Sequence, residues 1–454
     1  MRRESRALSC ALLSVVAIGF GEHLLAQVPM RAGIASNGDP PGVSQFVDPT
    51  SGTDLVQLVQ MALTRNADLL ATRQRTIEAQ GLLRQAGFRP NPVLETEYAT
   101  GSATGSSGER DFSIGYAHTF ELGGKRARRV EVGQSGLGLA RLEVADRERT
   151  LRAEVQERYI AAMAAIRNLD AVAQQLEVTQ QSFTVTQRRV SEGESPRVEQ
   201  MVLQAEVGRL TAERLLLASE AQAAMLDLRV VAGLDLSEPL KLRPDGDRPP
   251  LSMTLDAAIE SGLSSRPDLA AAREEEARSA GEVRLARAER VPDVAALIRF
   301  TDSQSRFDLF GLTATGALAP VQDRDRILTG GLSITLPILS RNQGNIEAAR
   351  ARQSAATLRR EYLERTIRAE ITGAYGRYAA ARQAVEAFES SVIQPAEESV
   401  RVLRASYTAG EVQLFDVLTE QRRLIDTRKA HTDAIRQEAL ARVALERAIG
   451  APLQ

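Results

Sequence analysis

The sequence contains an internal repeat, and this repeat restricts the possible folds more than any other feature. A shift of 200 positions places residues 53–92 on residues 253–292. Farther along, the shift grows to 216 and then to 217. The less common residues that match there are Arg152-Ala153-Glu154 with Arg368-Ala369-Glu370, and Gly193-Glu194 with Gly410-Glu411. Collinear matches along the chain predict two copies of one structural unit, at 53–250 and 251–454.

Each copy is predicted to contain a helix, a β-hairpin and two further helices. The first helix, at 54–89, has apolar residues at helical spacing and ends where Pro90 and Pro92 cannot continue it. The apolar period then changes from 3.6 to 2, which predicts β-hairpins at 92–121 and 294–339. The alternating residues of the first hairpin are Leu94, Thr96 and Tyr98 in one strand, and Phe112, Ile114, Tyr116, His118 and Phe120 in the other.

An unusually long helix is predicted after each hairpin. Residues 123–190 contain no proline and would span roughly 100 Å as one helix. Residues 340–408 are similar, with Pro395 as the one interruption, and shorter helices are predicted at 196–232 and 412–448. Aromatic residues make up only 4% of the chain, which favours an elongated helical protein over one with a large compact core. The expected fold class is mainly α with a small β part.

The composition excludes several classes of function. The 57 basic and 59 acidic residues give a net charge of −2, which argues against nucleic acid as the main partner. The single cysteine, Cys10, excludes disulfides and cysteine-based sites, and a histidine-centred site would need His23, His118 and His431 from three distant places. Since we find no motif for phosphate binding, zinc hydrolysis or nucleophilic catalysis, we expect no enzyme activity, no cofactor and no metal site.

The N-terminus has the pattern of an export signal. Three arginines within the first six residues precede an apolar run from Ala7 to Phe20, which is too short to cross a bilayer, and Ala26 is a suitable cleavage residue. We expect a signal peptide at 1–26, with a buried N-terminal helix as the alternative. The Gly-, Pro- and Ser-rich residues 27–52 predict a flexible leader. Because no later segment has 18 uninterrupted apolar residues, we expect no transmembrane helix after the signal.

The predicted strands have the length of strands that cross an outer membrane, about 9–11 residues. Aromatic residues near strand ends, such as Phe112, Phe120 and Phe300, suit the girdles at the two interfaces of such a barrel. Four strands cannot close a barrel, which needs about eight, and open edges are not tolerated in lipid. If these strands lie in a membrane, several chains must share one β-barrel. The alternative is a pair of soluble hairpins packed on helices.

The chain resembles the TolC family of outer-membrane efflux channels over its whole mature length. Besides the tandem repeat, the similar segments are Arg65-Asn66-Ala67-Asp68-Leu69, Gln85-Ala86-Gly87-Phe88-Arg89-Pro90-Asn91-Pro92, Tyr407-Thr408-Ala409-Gly410-Glu411 and Phe415-Asp416-Val417-Leu418. The resemblance implies a homotrimer with a shared twelve-stranded transmembrane β-barrel and a long antiparallel α-helical barrel across the periplasm. It also implies two protein partners, a periplasmic adaptor and an inner-membrane pump of the RND type.

The segment Phe120-Glu121-Leu122-Gly123-Gly124-Lys125-Arg126 is similar to the CzcC-like branch of this family, which serves divalent-metal export. Lys125 and Arg126 lie at a predicted helix N-terminus, where cations oppose the helix dipole. We therefore expect them to be placed there for another benefit, namely contact with outer-membrane lipid at the interface marked by Phe112 and Phe120. A solvated basic turn is the alternative.

The residues Gly193 and Gly410 close the two long helices, so both are predicted to be helix-ending glycines. The resemblance implies that these turns, with Glu194 and Glu411, form the periplasmic tips at which the adaptor docks.

A carboxylate on the helix after the second tip is implied to line the closed entrance of the channel. It corresponds to Asp416; the repeat shift places Glu199 in the matching position, and Glu420 lies nearby. In a homotrimer Asp416 would form a ring of three carboxylates that attracts cations. The family's entrance arginine and second aspartate are replaced by Val412 and Thr419, which puts the closing network in doubt. A solvated helix face is the alternative for Asp416.

These features favour a passive exit duct of a tripartite efflux system that exports divalent metal ions, with the energy supplied by a partner. A second hypothesis is the same duct serving drug efflux or type I protein secretion. The sequence does not separate these two, because specificity largely resides in the pump. A third hypothesis is a soluble coiled-coil scaffold in the periplasm, which the alternating strands and their aromatic residues disfavour.

Overall fold

The computed structural model describes residues 42–106, 108–244 and 251–451. The predicted signal peptide at 1–26 lies outside these residues, as does most of the predicted leader. Both halves of the described chain have the same order of elements: two short helices, two strands, a long helix and a further helix, with the long helix of the second half divided in two.

The described part of the predicted leader, residues 42–52, is packed against the first half. The side chain of Phe46 is buried in the apolar core, and Val47 and Thr53 both pair with Leu242 in short parallel bridges. The sequence predicted that this segment is flexible, and for residues 42–52 these contacts show that the prediction is wrong. The buried phenylalanine and the backbone pairing hold a stretch whose Gly- and Pro-rich composition alone predicts flexibility.

The first two helices of each half are short. They are α1 (Leu55–Arg65) and α2 (Ala67–Ala86) in the first half, and α5 (Leu255–Ser265) and α6 (Pro267–Ala288) in the second. The single helix predicted at 54–89 is divided at Asn66, whose side-chain oxygen accepts hydrogen bonds at 3.1 Å from the first N–H groups of α2. Asparagine is a strong N-cap residue, so it favours a new helix start. In the second half Pro267 is the first residue of α6, a position that suits its missing N–H.

The two predicted hairpins join into one antiparallel sheet with the order β1-β2-β3-β4. The strands are β1 (Val93–Thr100), β2 (Arg110–Phe120), β3 (Val294–Leu312) and β4 (Leu318–Ile334). Since β3 has 19 residues and β4 has 17, the prediction of strands of about ten residues is wrong for the second hairpin. Their additional residues are largely charged or polar next to the apolar stretch, so apolar alternation did not reveal them.

The long helix of the first half is continuous, whereas that of the second half is divided. Helix α3 (Lys125–Glu192) has 68 residues, or roughly 100 Å. The helix predicted at 340–408 is divided at Val392 into α7 (Gln343–Ser391) and α8 (Ile393–Thr408). Pro395 explains the division, because its nitrogen has no N–H to donate to the carbonyl of Ser391. The remaining helices are α4 (Arg197–Ala232) and α9 (Leu414–Ile449). None of the described helices combines the length and apolar character needed to cross a bilayer.

The apolar core lies where the short helices meet the long ones. One buried cluster joins α1, α2, α3 and α4, and a second joins α5, α6, α7 and α9. Two tyrosines that the repeat aligns, Tyr159 and Tyr375, donate their hydroxyls to backbone carbonyls on either side of the connection between the halves. The acceptors are Arg243 at 2.6 Å and Met253 at 3.3 Å. The repeat thus places similar side chains in similar structural roles.

Candidate functional site

Two tight turns end α3 and α8. Gly193 and Gly410 both have a left-handed backbone, with φ of 82° and 78°, a conformation that strains any residue with a side chain. In each turn the next residue closes the helix end: the Glu194 N–H donates to the last turn of α3 at 2.8 Å, and the Glu411 N–H donates to the last turn of α8 at 2.9 Å. Both turns therefore have the helix-ending geometry that the sequence predicts.

A small apolar cluster joins the helices on either side of the two turns. Leu203 of α4 packs with Leu414 and Leu418 of α9, and Phe183 of α3 and Tyr407 of α8 pack against them. Because all four helices meet in this cluster, the two turns lie side by side. The structure thus brings together the two regions that were predicted from separate copies of the repeat.

Asp416 and Glu199 occupy equivalent positions, as the third residues of α9 and α4, but have different surroundings. Asp416 is exposed, and its carboxylate accepts a hydrogen bond at 3.2 Å from the Gln413 N–H at the start of its own helix. Glu199 is half-buried and accepts a hydrogen bond at 3.1 Å from the hydroxyl of Tyr407 on α8. Burial raises the pKa of Tyr407, and the Glu199 carboxylate raises it further. Glu199 is therefore held by another helix, whereas Asp416 projects from the start of its own helix.

The other residues implied at the entrance make local contacts. The Glu420 carboxylate lies 3.9 Å from the guanidinium of Arg423, one turn along α9. The Thr419 hydroxyl donates to the Phe415 carbonyl at 2.8 Å, so it bonds within its own helix. Within the part of the chain that the structure describes, no group of three or more His, Cys, Asp and Glu side chains could hold a metal ion.

An ion-pair network between α4 and α9 was missed by the sequence analysis. The Glu206 side chain is only 6% exposed, and its carboxylate accepts hydrogen bonds from Arg209 at 2.8 Å and Arg422 at 2.6 Å. Glu213 in turn contacts Arg209 at 2.8 Å and pairs with Lys429. Burial raises the pKa of Glu206, but the two arginines outweigh this effect and leave the pKa below its ordinary value. The repeat carried no signal for these pairs, because its shift of 217 in this region aligns Glu206 with Arg423 and Glu213 with Ala430 rather than with their partners.

The basic residues at the start of α3 are engaged within the protein. The Lys125 side chain is 11% exposed, and its ammonium donates to the Asp293 carboxylate at 2.7 Å. The Arg126 Nε donates to the carbonyl of Gly87 at 2.5 Å. These contacts tie α3 to the end of α2 and to the residue before β3. Contact of Lys125 and Arg126 with lipid stays a prediction, while the structure gives both residues a role in joining helices to strands.

The rest of this segment supports the same junction. Arg129 donates to both oxygens of Glu121, at 2.5 and 2.8 Å, and this bonding lowers the pKa of Glu121. Gly123 and Gly124 have φ of 73° and 72°, which turns the chain from strand to helix. A side chain at Gly123 would also collide with Val291, at 2.8 Å. The segment similar to the metal-export branch is therefore built as a sharp strand-to-helix connection.

One face of the sheet is apolar along β1, β2, β3 and β4. The register pairs even-numbered residues with even-numbered ones, so they share a face. The exposed apolar residues of this even face are Leu94, Tyr98, Phe112, Ile114, Tyr116, Phe120, Ile298, Phe300, Phe310, Leu312, Leu318, Leu328, Leu332 and Ile334. Phe112 and Phe120 lie near opposite ends of it, which is the arrangement of two aromatic girdles.

The opposite, odd-numbered face of the sheet mixes small, polar and apolar residues, the last including Leu309 and Ile327, and carries most of the acidic side chains of the sheet. Its carboxylates are Glu95, Glu97, Asp111, Asp323 and Asp325. Its one basic residue among the described side chains is Arg299, which contacts Glu95 at 2.8 Å and Glu97 at 3.5 Å. Five carboxylates and one guanidinium give this face a net charge of −4 per chain. An apolar face and an acidic face on one sheet suit a wall between lipid and an aqueous passage.

Comparison with known proteins agrees with this architecture. The sequence profile of a family described as "Outer membrane efflux protein" matches residues 58–234 and 258–451. The cobalt-zinc-cadmium resistance protein CzcC of Cupriavidus metallidurans is 23% identical, over 86% of this chain and 88% of its own length. The pyoverdine export outer membrane protein OpmQ of Pseudomonas putida is 23% identical, over 87% of this chain and 86% of its own length.

A solved structure shares the fold. The crystal structure of the Campylobacter jejuni CmeC outer membrane channel superimposes with a TM-score of 0.71 at 15% identity, and the match covers 88% of this chain and 86% of that one. The family profile covers most of the chain and includes both tip turns, the junction and most of the sheet. The chain therefore belongs to the outer membrane efflux protein family; it is an outer-membrane protein that extends into the periplasm, and it is not an enzyme.

Proposed function

We propose that three copies of this chain form a passive exit duct of a tripartite efflux system, and that the duct carries divalent metal cations. The observation that carries this proposal is the acidic odd face of the sheet, with a net charge of −4 per chain, opposite an exposed apolar face. In a barrel the apolar face contacts lipid and the acidic face lines the lumen. Such a lumen attracts cations and repels anions.

The edges of the sheet support assembly from several chains. The outer strands β1 and β4 each have one neighbour within the chain. An open edge in lipid leaves backbone N–H and C=O groups without partners, and four strands are too few to close a barrel. Pairing β4 of one chain with β1 of the next removes every edge. Three copies give twelve strands, the number implied by the family resemblance.

The helices extend the duct into the periplasm and present the two tip turns at their far end. Gly193, Glu194, Gly410 and Glu411 are exposed in these turns. We propose that a periplasmic adaptor docks there and connects the duct to an inner-membrane pump of the RND type. Three copies of the exposed Asp416 would add a carboxylate ring at the entrance, so that cations meet negative charge at both ends of the passage.

The proposed cargo also has support from a relative whose name records resistance to cobalt, zinc and cadmium. A second candidate cargo is organic, because another relative is named for pyoverdine export. On that reading the same duct serves a drug, siderophore or protein exporter. The acidic face favours the metal cargo, since free metal ions are cations. Membership of the outer membrane efflux protein family argues against the third hypothesis, a soluble periplasmic scaffold.

The experiment that tests the cargo is growth of a deletion strain, with and without the gene restored. The panel contains Co²⁺, Zn²⁺, Cd²⁺, Ni²⁺, Cu²⁺ and Ag⁺ alongside bile salts, dyes, antibiotics and an iron-limited medium. We expect sensitivity to one or more divalent metals, relieved by the wild-type gene. Sensitivity to dyes and antibiotics alone would keep the duct and replace the cargo.

A further inference from the structure

Along β3 and β4, the even face of the sheet changes from apolar to charged. The last apolar pair before this change is Phe300 and Leu328, which are directly paired across the two strands. The next even-numbered charged residues are Asp302, Arg324 and Arg326, joined by Arg110 at the start of β2. In β2 the apolar residues reach one step farther, because Phe112 pairs with Asp302. Three guanidiniums and one carboxylate give a net charge of +2, and we call these four residues the basic patch.

The basic patch is organised around its single carboxylate. Arg324 donates to both oxygens of Asp302, at 2.8 and 2.5 Å, and the Nε of Arg326 lies 3.5 Å from the same carboxylate. Asp302 is 20% exposed, whereas the side chains of Arg324 and Arg326 are 50% and 61% exposed. The carboxylate therefore fixes the direction of two guanidiniums whose outer edges remain open to solvent. Arg110 is exposed on the same face.

The position of the basic patch along the strands corresponds to the edge of a membrane. Arg110 is two residues beyond Phe112 in β2, and Asp302 is two residues beyond Phe300 in β3, a rise of about 7 Å in each strand. Aromatic girdles lie at the boundary between hydrocarbon and headgroups, so charges one step farther lie among the headgroups. The other end of the apolar face leads into α3 and α7, so the basic patch marks the end away from the periplasmic helices.

We propose that the basic patch binds the phosphate groups of anionic lipid in the outer leaflet of the outer membrane. Guanidiniums match phosphate oxygens in a bidentate geometry, and a pair held by Asp302 loses little freedom on binding. The opposite face at the same level carries Asp111, Asp323 and Asp325, which would repel phosphate. The proposal rests on the orientation given above, in which the even face contacts lipid.

The basic patch differs from the lipid contact predicted from sequence, because the two lie at opposite ends of the sheet. Lys125 and Arg126 lie at the start of α3, where both are bonded to acceptors within the protein. The arginines of the basic patch lie at the other end, on the face assigned to lipid, and Asp302 balances only one of their three charges. The sequence did not reveal them, because their common face depends on the register between β2, β3 and β4.

The test uses the full-length protein, purified in detergent and titrated with lipid A that carries two phosphates or none. Native mass spectrometry counts the bound lipids and gives their dissociation constants. We expect the wild type to bind the phosphorylated lipid on the order of tenfold more tightly than the dephosphorylated lipid, as expected for arginines at a membrane surface. The double variant Arg324→Gln/Arg326→Gln should lose this preference, and the milder Arg326→Gln should lose part of it.

A further variant separates phosphate binding from a general effect on folding. Arg299→Gln removes a guanidinium from the odd face of the same sheet and should leave the lipid preference unchanged. Inorganic phosphate at the same concentration should not displace the lipid, since it lacks the acyl chains.

Three outcomes would overturn the proposal: equal binding of both lipids by the wild type, equal loss in Arg299→Gln, or displacement by inorganic phosphate alone. Failure of the proposed duct is distinguishable from these results. In that case the wild type would not form a detergent-stable trimer. A stable trimer that binds both lipids equally would disprove the lipid site and leave the duct standing.

Discussion

The two tip turns share one backbone and differ in what their carboxylates contact. Gly193 and Gly410 have nearly the same φ, and each turn is followed after a few residues by a helix with an acidic third residue. Glu199 is bonded to Tyr407 of the other half, whereas Asp416 is exposed and bonded only to the start of its own helix among its described contacts. The comparison teaches that the duplication kept the turn and changed the surroundings of the charge. We expect the first carboxylate to support packing and the second to act on passing ions.

The largest expected effect comes from separating the helices that carry the two tips. Glu206→Ala removes a nearly buried carboxylate that receives hydrogen bonds from Arg209 and Arg422, and should destabilise the protein by about 2 kcal/mol. The matched control is Glu398→Ala, because Glu398 forms an exposed pair with Arg401 and should cost less than about 0.5 kcal/mol. Melting temperatures of the detergent-solubilised variants measure both effects. Similar small changes in the two variants would show that the network does not join α4 to α9.

The ion pairs of Glu206 also predict how the stability of the protein depends on pH. The folded-state pKa of Glu206 lies below its ordinary value, so its stabilising contribution is fully present above the unfolded-state pKa near 4.3. That contribution is lost as the pH falls through the lower folded-state pKa. The difference in melting temperature between wild type and Glu206→Gln should therefore be larger at pH 7 than near pH 3. A difference that grows on acidification would contradict the role given to Arg209 and Arg422.

The next effect tests whether the two turns are equivalent in their backbone. Gly193→Ala and Gly410→Ala each place a side chain in a left-handed conformation and should destabilise by about 1 kcal/mol. Gly136→Ala, inside α3 and about three turns from its start, is the control; its new methyl group would meet no atom within 4 Å, so it should be neutral or stabilising. Both effects are measured by thermal unfolding. Unequal effects at Gly193 and Gly410 would show that the two turns are not equivalent.

A smaller effect is expected from releasing Glu199. Tyr407→Phe removes the hydroxyl that donates to this carboxylate at 3.1 Å and should cost about 1 kcal/mol. Tyr362→Phe provides the control, because Tyr362 is 70% exposed on α7 and its hydroxyl should contribute little. If the two tyrosine variants melt at the same temperature, Glu199 is not held in the way the structure indicates.

Conduction should distinguish the two carboxylates most clearly, although the change per channel is modest. Asp416→Ala should lower cation selectivity or alter single-channel conductance in planar bilayers, since three exposed charges are lost from the entrance. Glu199→Ala should have the smaller effect on conduction, because that carboxylate is directed to Tyr407. Unchanged recordings for Asp416→Ala would remove this residue from the entrance.

The sequence predicted the architecture better than it predicted the contacts. The mainly α fold with a small antiparallel sheet and the membership of the outer-membrane efflux family are confirmed. Periodicity and the repeat sufficed for these, because they depend on the pattern within each element. The break at Asn66 was missed and the one at Val392 was placed at Pro395, since a cap or the missing N–H donor of a proline acts on a single hydrogen bond.

The remaining features depend on contacts between elements. The buried Glu206 network arises only when α4 and α9 lie side by side, and the basic patch arises only from the register of β2, β3 and β4. The roles of Asp416, Glu199 and Glu420 at an entrance depend on contacts between chains, and they stay predictions. A repeat pattern within one chain says little about which residues meet when several chains assemble.

The central claim is that the chain forms a duct whose lumen favours cations, and the reversal potential across a planar bilayer tests it most directly. Purified wild-type protein is measured in a tenfold KCl gradient. The account predicts a reversal potential on the cation side, reduced by lowering the charge of the odd face with Glu97→Gln and Asp325→Asn. A potential near zero, or one on the anion side, would contradict the account.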